Sequence, residues 1–329
     1  MMVSMGIERA NAAGIGEGAR QLALNHYDLN IRSALGKGTE AEVYALSEDL
    51  VLKLYADTDR RGKLEILKTF YVGLDDSALS VRVPRIYSIE PVEDLLCVIE
   101  RRFHGVPLDS LIAKASDQHL PAIQAEYLRG VSELASLSVS YNPRTFLLFD
   151  EVGKSNIQTG NFHHFIRHIA LEKAKRNKDT LSSTVRDFSR KLKTLESLLE
   201  EPYVGKLCVI HGDYFPGNIM ARDTDRFEAV IDFGSFTMFG NPLYDVATAC
   251  SFFDMYGSRR DVIRDELIEA AVALHGEDSR KWLLAFMASY ALLSCDLYAG
   301  NEPLIENGHY AWASDLLNRA DYWKIMGLR

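Results

Sequence analysis

The sequence has few cysteines and no long apolar run. Its four cysteines, Cys97, Cys208, Cys250 and Cys295, show no CxxC spacing, which argues against a disulfide framework or a zinc site. The longest apolar stretch, residues 282–295, is shorter than the roughly 20 residues that a helix needs to cross a bilayer. We therefore expect buried thiols and a core helix, and no membrane partner.

A secretory signal peptide and an excess of basic charge are also missing. Glu8, Glu17 and several glycines interrupt the stretch from Met1 to Arg20, so no continuous apolar segment forms there. Lysine and arginine together number 37 against 46 acidic residues, a net charge of −9. This balance argues against a general nucleic-acid-binding protein. The sequence therefore predicts a cytoplasmic protein without a nucleic-acid partner. It does not indicate whether the protein is a monomer or an oligomer.

The chain is long enough for about two lobes and, with 47% hydrophobic residues, contains ample material for a core. The hydrophobic pattern of the sequence changes near residues 100–107, from alternating strand-type segments to long helical patterns. We predict an α+β protein with a leader and small β-rich lobe in residues 1–103 and a large, mainly helical lobe in residues 104–329. The predicted strands are 43–46, 50–55, 84–89, 95–99, 207–210 and 229–231, and the predicted helices are 60–74, 108–115, 121–139, 162–178 and 184–201.

The strongest motif is His211-Gly-Asp213 followed by Asn218, with Asp232-Phe-Gly further along the chain. Each part comes directly after a short predicted strand, and strand ends support side chains rigidly. An aspartate at the first position can accept a proton from a hydroxyl, and Asn218 and Asp232 are hard oxygen ligands suited to Mg²⁺. The alternative is a pair of capped turns with hydrogen-bonded aspartates.

A second, weaker motif lies in the β-rich lobe. Gly36-Lys-Gly38-Thr39 lies between two predicted strands, where glycines let the backbone approach phosphates, although a plain β-turn has the same composition. Lys53 follows inside an apolar strand and needs an anionic partner. Glu65, on the next predicted helix, is our candidate, with Glu40 and Glu42 as alternatives.

The order of these parts resembles the protein-kinase-like fold, and within it the aminoglycoside phosphotransferase and choline kinase-like family. The motifs that carry the resemblance are HGDYFPGN at 211–218, IDFG at 231–234, GNPLYDVA at 240–247 and ERRFHGVPL at 100–108. The similarity extends in architecture over roughly residues 33–329, and it implies a bilobal enzyme that transfers the γ-phosphoryl group of ATP to a hydroxyl of a small acceptor.

The resemblance also implies roles for individual residues. Asp213 would be the catalytic base, and Asn218 and Asp232 would hold Mg²⁺. His211 would support the loop and Asp245 would tie it to the helix beneath. The implied nucleotide-binding residues are Gly36, Gly38 and Thr39 over the phosphates, Lys53 on the α- and β-phosphates with Glu65 positioning it, and Glu100, Arg102 and Phe103 around adenine.

Two other functions fit the same motifs. A protein kinase would need an activation loop and an A-P-E segment, but the stretch between Asp232 and Asp245 is too short for one and no A-P-E follows. A catalytically silent kinase-fold binding protein would commonly lack a metal or base residue, and here every position is filled.

The motifs do not name the acceptor. Residues 241–329 hold 13 acidic and 8 basic residues, which suits a cationic acceptor such as an aminoglycoside or choline. The basic stretch 167–178 suits an anionic one, and both stretches can instead be solvated helix faces. The residues considered for the acceptor are Asp254, Asp296, Glu302 and Glu306, the aromatic residues Tyr256, Tyr290, Tyr298, Tyr310, Trp312 and Trp323, and the basic residues Arg167, Lys173, Lys175, Arg176 and Lys178.

Overall fold

A computed structural model describes residues 14–37, 41–149, 155–297 and 303–328. Within these ranges a β-rich N-terminal part is followed by a mainly helical C-terminal part, so the predicted α+β order is confirmed. The strands of the N-terminal part are β1 (Ala34–Lys37), β2 (Glu42–Ala45), β3 (Leu50–Tyr55), β4 (Leu74–Asp75), β5 (Ile86–Val92) and β6 (Leu95–Arg101).

The main sheet is antiparallel and has the order β1-β2-β3-β6-β5. The predicted β2–β3 hairpin is confirmed. Its turn is held by the Ser47 hydroxyl, which accepts hydrogen bonds from the backbone N–H groups of Asp49 and Leu50 at 3.3 and 3.2 Å. The β5–β6 hairpin turns at Glu93, whose φ of 51° is left-handed.

Successive side chains of a strand point to opposite faces, and the two faces of this sheet are covered differently. Helix α1 (Glu17–His26) packs against the face that carries Leu52 and Leu54. The opposite face carries Tyr55 and Val98 and packs against helix α2 (Arg61–Gly73) and the rest of the core. Lys53 belongs to this second face, because it alternates with Leu52 and Leu54.

Helices make up most of the C-terminal part. The apolar stretch 282–295 forms most of α10, whose side chains from Leu283 to Leu292 are buried, so the predicted core helix is confirmed. No helix in the described ranges is long and apolar enough to cross a membrane. The helices are α3 (Leu108–Ile112), α4 (Leu120–Glu133), α5 (Phe162–Arg176), α6 (Lys178–Thr184), α7 (Phe188–Leu198), α8 (Leu243–Phe252), α9 (Arg260–His275), α10 (Ser279–Ser294), α11 (Gly308–Leu317) and α12 (Ala320–Ile325).

Short strands between these helices support the loops of the candidate site. They form small antiparallel sheets in the orders β11-β10-β7, β12-β9 and β4-β8. Their bounds are β7 (Val106–Pro107), β8 (Ser138–Val139), β9 (Cys208–Ile210), β10 (Ile219–Asp223), β11 (Arg226–Val230) and β12 (Met238–Gly240).

Several predicted helices have other bounds in the structure. The helices predicted over 108–115 and 184–201 span Leu108–Ile112 and Phe188–Leu198. The helix predicted over 121–139 ends at Glu133, because Ser138 and Val139 pair with β4, a partner that is distant along the chain. The gap predicted between 178 and 184 is filled by α6, which follows α5 directly after Asn177. Asparagine commonly ends a helix, and here it separates two helices without a loop.

Candidate active site

The loop after β9 is anchored by a buried carboxylate. Asp245, near the start of α8, accepts hydrogen bonds from the backbone N–H of His211 and of Gly212, one on each oxygen and both at 2.7 Å. Its side chain is almost fully buried, and burial raises its pKa to about 7. Asp245 therefore connects this loop to α8, as the family resemblance implied.

The His211 ring joins the two motif-bearing loops. Its Nε2–H donates to the carbonyl of Ile231 at 2.8 Å, and its Nδ1 accepts from the N–H of Asp213 at 3.2 Å. Burial lowers the pKa of His211 to about 4, so the ring is neutral at pH 7. Because both ring nitrogens are engaged with backbone groups, His211 supports the loops and does not shuttle protons.

Asp213, Asn218 and Asp232 lie together, as the motifs predicted. The side-chain amide of Asn218 donates to the carbonyl oxygen of Asp213 at 2.9 Å, with Asp213 Oδ2 at 3.5 Å. The N–H of Ile231 donates to the carbonyl of Asn218 at 2.9 Å, which brings the residue before Asp232 against the first loop. Burial and, next, the negative charge of Asp232 raise the pKa of Asp213 to about 6.

Gly212 is required by the loop geometry. Its φ of +78° is left-handed, and a Cβ added there would lie 1.9 Å from the carbonyl oxygen of Phe236. A side chain at this position would therefore force the loop after Asp232 away from the loop that carries Asp213. Thr237, which the sequence did not single out, reinforces the contact: its hydroxyl donates to the His211 carbonyl at 3.2 Å and accepts from the Gly234 N–H at 2.9 Å.

The predicted pairing of Lys53 with Glu65 is wrong. Lys53 Nζ lies 2.6 Å from Glu100 Oε2. Glu65 is about half exposed and lies near Arg61, at 3.9 Å between Nε and Oε1. The reason is rotational phase: α2 turns Leu64 and Tyr71 toward the core, which leaves Glu65 on the solvent side.

Tyr71 takes the inward position that Glu65 was predicted to hold. It is fully buried against Phe233, with ring centroids 6.1 Å apart, and Phe70 packs on the same ring at 5.6 Å. Phe233 in turn packs on His211 at 4.5 Å. Helix α2 therefore contacts the loops that carry His211 and Phe233 through aromatic rings. The apolar stripe of α2 was a sequence signal for this contact, although not for its partners.

Only part of the glycine-rich segment can be placed. Gly36 lies in β1, while Gly38 and Thr39 lie outside the described residues. The segment leaves β1 at Lys37 and returns at Glu42, which is directly opposite in the β1–β2 register. Glu42 is buried and accepts two hydrogen bonds from Arg20 of α1, at 2.7 and 2.8 Å. This ion pair lowers the pKa of Glu42 to about 2.

The segment predicted to bind adenine contains three differently placed residues. Glu100 directs its side chain to Lys53. The backbone N–H of Arg102 donates to the Asp49 carbonyl at 2.8 Å, so it points toward the β2–β3 turn. Phe103 is half-buried, with the Arg82 guanidinium 5.5 Å above its ring.

Residues 32–283 match the model of a phosphotransferase enzyme family. This chain is a member of that family. The family, the protein-kinase-like fold and the phosphotransferase class predicted from the sequence are therefore confirmed. No curated protein sequence matches the chain significantly.

Solved structures with the same fold include aminoglycoside phosphotransferases. In a ternary complex of APH(2'')-IIa with streptomycin and ATP, the identity is 14% and the TM-score 0.55, with 93% of this chain and 99% of that chain covered. For ADP-bound APH(2'')-Ib the identity is 14% and the TM-score 0.56, covering 94% and 99%. For APH(3'')-Id from Streptomyces rimosus with ADP and streptomycin the identity is 17% and the TM-score 0.51, covering 85% and 99%.

In this phosphotransferase, the two charged stretches considered for the acceptor contact each other. Lys173 of α5 forms an ion pair with Asp296, and Asn177 donates to the same carboxylate at 3.0 Å. Asp254 is partly buried, and burial raises its pKa. Glu306 is exposed, while Glu302 lies outside the described residues.

Most aromatic candidates are core residues of the phosphotransferase. Tyr290, Tyr310, Trp312 and Trp323 are buried, and Tyr298 lies outside the described residues. Tyr256 is 56% exposed, and its hydroxyl lies 2.6 Å from His309 Nδ1. Within the described residues no group of three or more His, Cys, Asp or Glu could hold a metal ion.

Proposed function

We propose that this phosphotransferase is an ATP-dependent kinase that transfers the γ-phosphoryl group to a hydroxyl of a small acceptor. The observation that carries the proposal is the convergence of Asp213, Asn218 and Asp232 on loops that His211 and Asp245 hold in place. We further propose that the nucleotide lies between residues 1–103 and 104–329.

Asp213 is suited to the role of base. Its backbone N–H is held by His211 and its carbonyl by Asn218, so the loop position of the carboxylate is defined before substrate binds. Burial raises its pKa toward 6, which brings its proton affinity closer to neutral pH than that of an exposed aspartate. The carboxylate orients the acceptor hydroxyl and takes its proton as the phosphoryl group is transferred.

The donor set of Asn218 and Asp232 fits Mg²⁺. The Asn218 amide nitrogen is occupied by Asp213, which leaves the amide oxygen as its remaining ligand atom. Asp232 adds a carboxylate on a left-handed backbone position directly after Ile231. Hard oxygen donors that leave positions for phosphate oxygens and water are typical of Mg²⁺ sites. A bound Mg²⁺ would supply positive charge to the phosphates.

The remaining nucleotide contacts follow from the N-terminal sheet. Lys53 extends from β3 on the face of the sheet that carries Glu100, near the charge of Asp232, where it can contact the α- and β-phosphates. The N–H groups of Arg102 and His104 are bound by Asp49 and Glu228, so we assign the adenine contact to the backbone of the intervening Phe103.

A small acceptor is favoured over a protein because the chain after Asp232 folds back at once. Residues Met238–Gly240 form β12 against β9, and α8 begins at Leu243. No long segment lies between them to bind a polypeptide substrate. Lys173 and Asp296 form an ion pair that joins the two charged stretches, and aminoglycosides, choline-like alcohols and sugars all belong in the test.

The test measures ADP release with MgATP against pools of these hydroxyl compounds, with Asp213→Asn run in parallel. We expect one pool to stimulate ADP release and the variant to lose that stimulation. Absence of ADP release with every pool, and without acceptor, would contradict the proposal and favour a silent kinase-fold binding protein. Stimulation only by a protein substrate would favour a protein kinase.

A further inference from the structure

We propose that Glu100, on the strand next to Lys53, is the residue that positions Lys53 for the nucleotide phosphates, and that α2 contributes no charge to this task. The inference rests on the proposed function, because it takes Lys53 as a phosphate-binding residue. Glu100 is a positioning residue in this scheme, since it acts only through Lys53.

The first argument is the register of the sheet. Lys53 of β3 lies opposite Val98 of β6, and Val51 lies opposite Glu100. Lys53 and Glu100 are therefore diagonal neighbours on one face, within reach of long side chains. The observed distance of 2.6 Å between Nζ and Oε2 is that of a charge-assisted hydrogen bond.

The second argument is burial. The Glu100 side chain is only 9% exposed, while that of Lys53 is 31% exposed. The carboxylate is thus buried, while the Lys53 side chain is partly exposed. Tyr55 and Asp232 are further titratable groups whose charges act on its ammonium group. A carboxylate so placed can hold the ammonium group while leaving one side of it open to an anionic ligand.

The third argument is that α2 has no buried carboxylate that could pair with Lys53. Glu65 is the one acidic residue in the sequence of α2, and its side chain is 48% exposed beside Arg61. The inward position further along the helix is Tyr71, which packs on Phe233. A rotation of α2 that brought Glu65 to Lys53 would expose Leu64 and Tyr71, so the sheet pairing is the stable alternative.

The consequence is that the lysine is positioned by two hydrogen-bonded strands and not by a helix that could move. Movement of α2 would change the aromatic contacts at Phe233 without separating Lys53 from its carboxylate. We expect Lys53 to be in position for the phosphates before nucleotide binds.

The test compares Glu100→Gln with Glu65→Gln, which is the same chemical change on the residue that the sequence favoured. Hydrogen bonds to charged groups contribute enough for about a tenfold effect. For Glu100→Gln we expect about a tenfold loss in MgADP affinity and in kcat/KM for MgATP, with adenosine affinity unchanged. Glu65→Gln should match wild type in all three measurements.

A structural defect is separated from a positioning role by two further variants. Glu100→Asp, which keeps a carboxylate, should recover part of the MgADP affinity. The double variant Lys53→Met, Glu100→Gln should bind MgADP with the same affinity as Lys53→Met alone, because Glu100 acts only through Lys53. Equal weakening of adenosine and MgADP binding by Glu100→Gln would overturn the inference, as would tighter MgADP binding, which would mean that Glu100 sequesters the lysine.

The outcomes also separate this inference from the proposed function. An active wild type with a Glu100→Gln variant of equal activity and MgADP affinity would contradict the role of Glu100 alone. A wild type that binds MgADP but transfers no phosphoryl group would contradict the proposed function, while the MgADP comparison of the two variants would still decide the role of Glu100.

Discussion

The two sides of the candidate active site are held by different kinds of contact. On the catalytic side, Asp245, His211 and Thr237 bond to backbone groups from several elements. On the nucleotide side, Lys53 is held by one side-chain ion pair within a sheet. Backbone contacts fix where a loop runs, whereas the ion pair fixes the direction of one long side chain. Changes on the catalytic side should therefore affect both folding and chemistry, and changes at Lys53 mainly nucleotide affinity.

The largest effect is expected from Asp213→Asn, which removes the proposed base without altering its size. General-base catalysis contributes about 10²–10⁴-fold, so kcat should fall by about that factor while MgADP affinity stays near wild type. Asp223→Asn, on the exposed end of β10, is the matched control and should retain full activity. Full activity of the Asp213 variant would refute its role as base.

Gly212→Ala tests whether the catalytic loop tolerates any side chain. The left-handed backbone and the overlap with the Phe236 carbonyl predict a loss of about 2–4 kcal/mol in the free energy of unfolding. Gly62→Ala is the control, because its Cβ would meet nothing within 4 Å on α2 and should be neutral or slightly stabilising. Urea denaturation of both variants measures the difference, and equal stabilities would contradict the crowding at Gly212.

A pH series tests the neutral His211 ring. Its pKa of about 4 in the folded protein lies below the ordinary value of 6.5, so its stabilisation is complete above pH 6.5 and is lost as pH falls toward 4. At about 1.4 kcal/mol per pH unit, the stability difference between wild type and His211→Gln should shrink by about 2–3 kcal/mol between pH 7.5 and 4.5.

Taking the stability difference between wild type and His211→Gln cancels titrating groups that do not contact His211. His309, whose pKa burial also lowers to about 4, titrates in the same range in both proteins. The measurement is urea denaturation of metal-free wild type and His211→Gln at each pH. A difference that does not change with pH would show that His211 is not buried in its neutral form.

Asp232→Asn should have the smallest effect in this series, because Asn218 and the phosphates would still hold the proposed Mg²⁺. Loss of partners around a metal site typically costs about 10–100-fold in affinity, so Mg²⁺-dependent ADP binding should weaken at least about tenfold. Adenosine binding, which needs no metal, should be unchanged. Isothermal titration with MgADP and with adenosine measures both, and wild-type MgADP affinity would remove Asp232 from the metal site.

The catalytic side was predictable from sequence, and the nucleotide side only in part. Asp213 and Asp232 each come shortly after a short apolar strand, and Asn218 lies five residues beyond Asp213, so local pattern alone indicated that they meet. The partner of Lys53 depended on the rotational phase of α2 and on the β3–β6 register. The alternation within β6 that places Glu100 with Val98 was readable, but the pairing of β3 with β6, which are far apart along the chain, was not.

Long-range pairing also explains why the helix predicted over 121–139 ends early. Val139 fits the helical pattern of α4, yet it forms a strand because Leu74 lies opposite. The contact of Thr237 with the His211 carbonyl had no sequence signal, since a threonine after a D-F-G motif fits many roles. In each case the deciding partner is distant along the chain.

Helix α1 has a practical consequence for handling the protein. It covers Tyr44, Leu52, Leu54 and Leu95 on the outer face of the N-terminal sheet. A protein shortened to start after Tyr27 would present these side chains as a continuous apolar surface, and such surfaces lead to self-association. The same truncation would remove Arg20 from Glu42 at the base of the glycine-rich segment. Loss of solubility and loss of nucleotide binding should therefore appear together on deletion of this one helix.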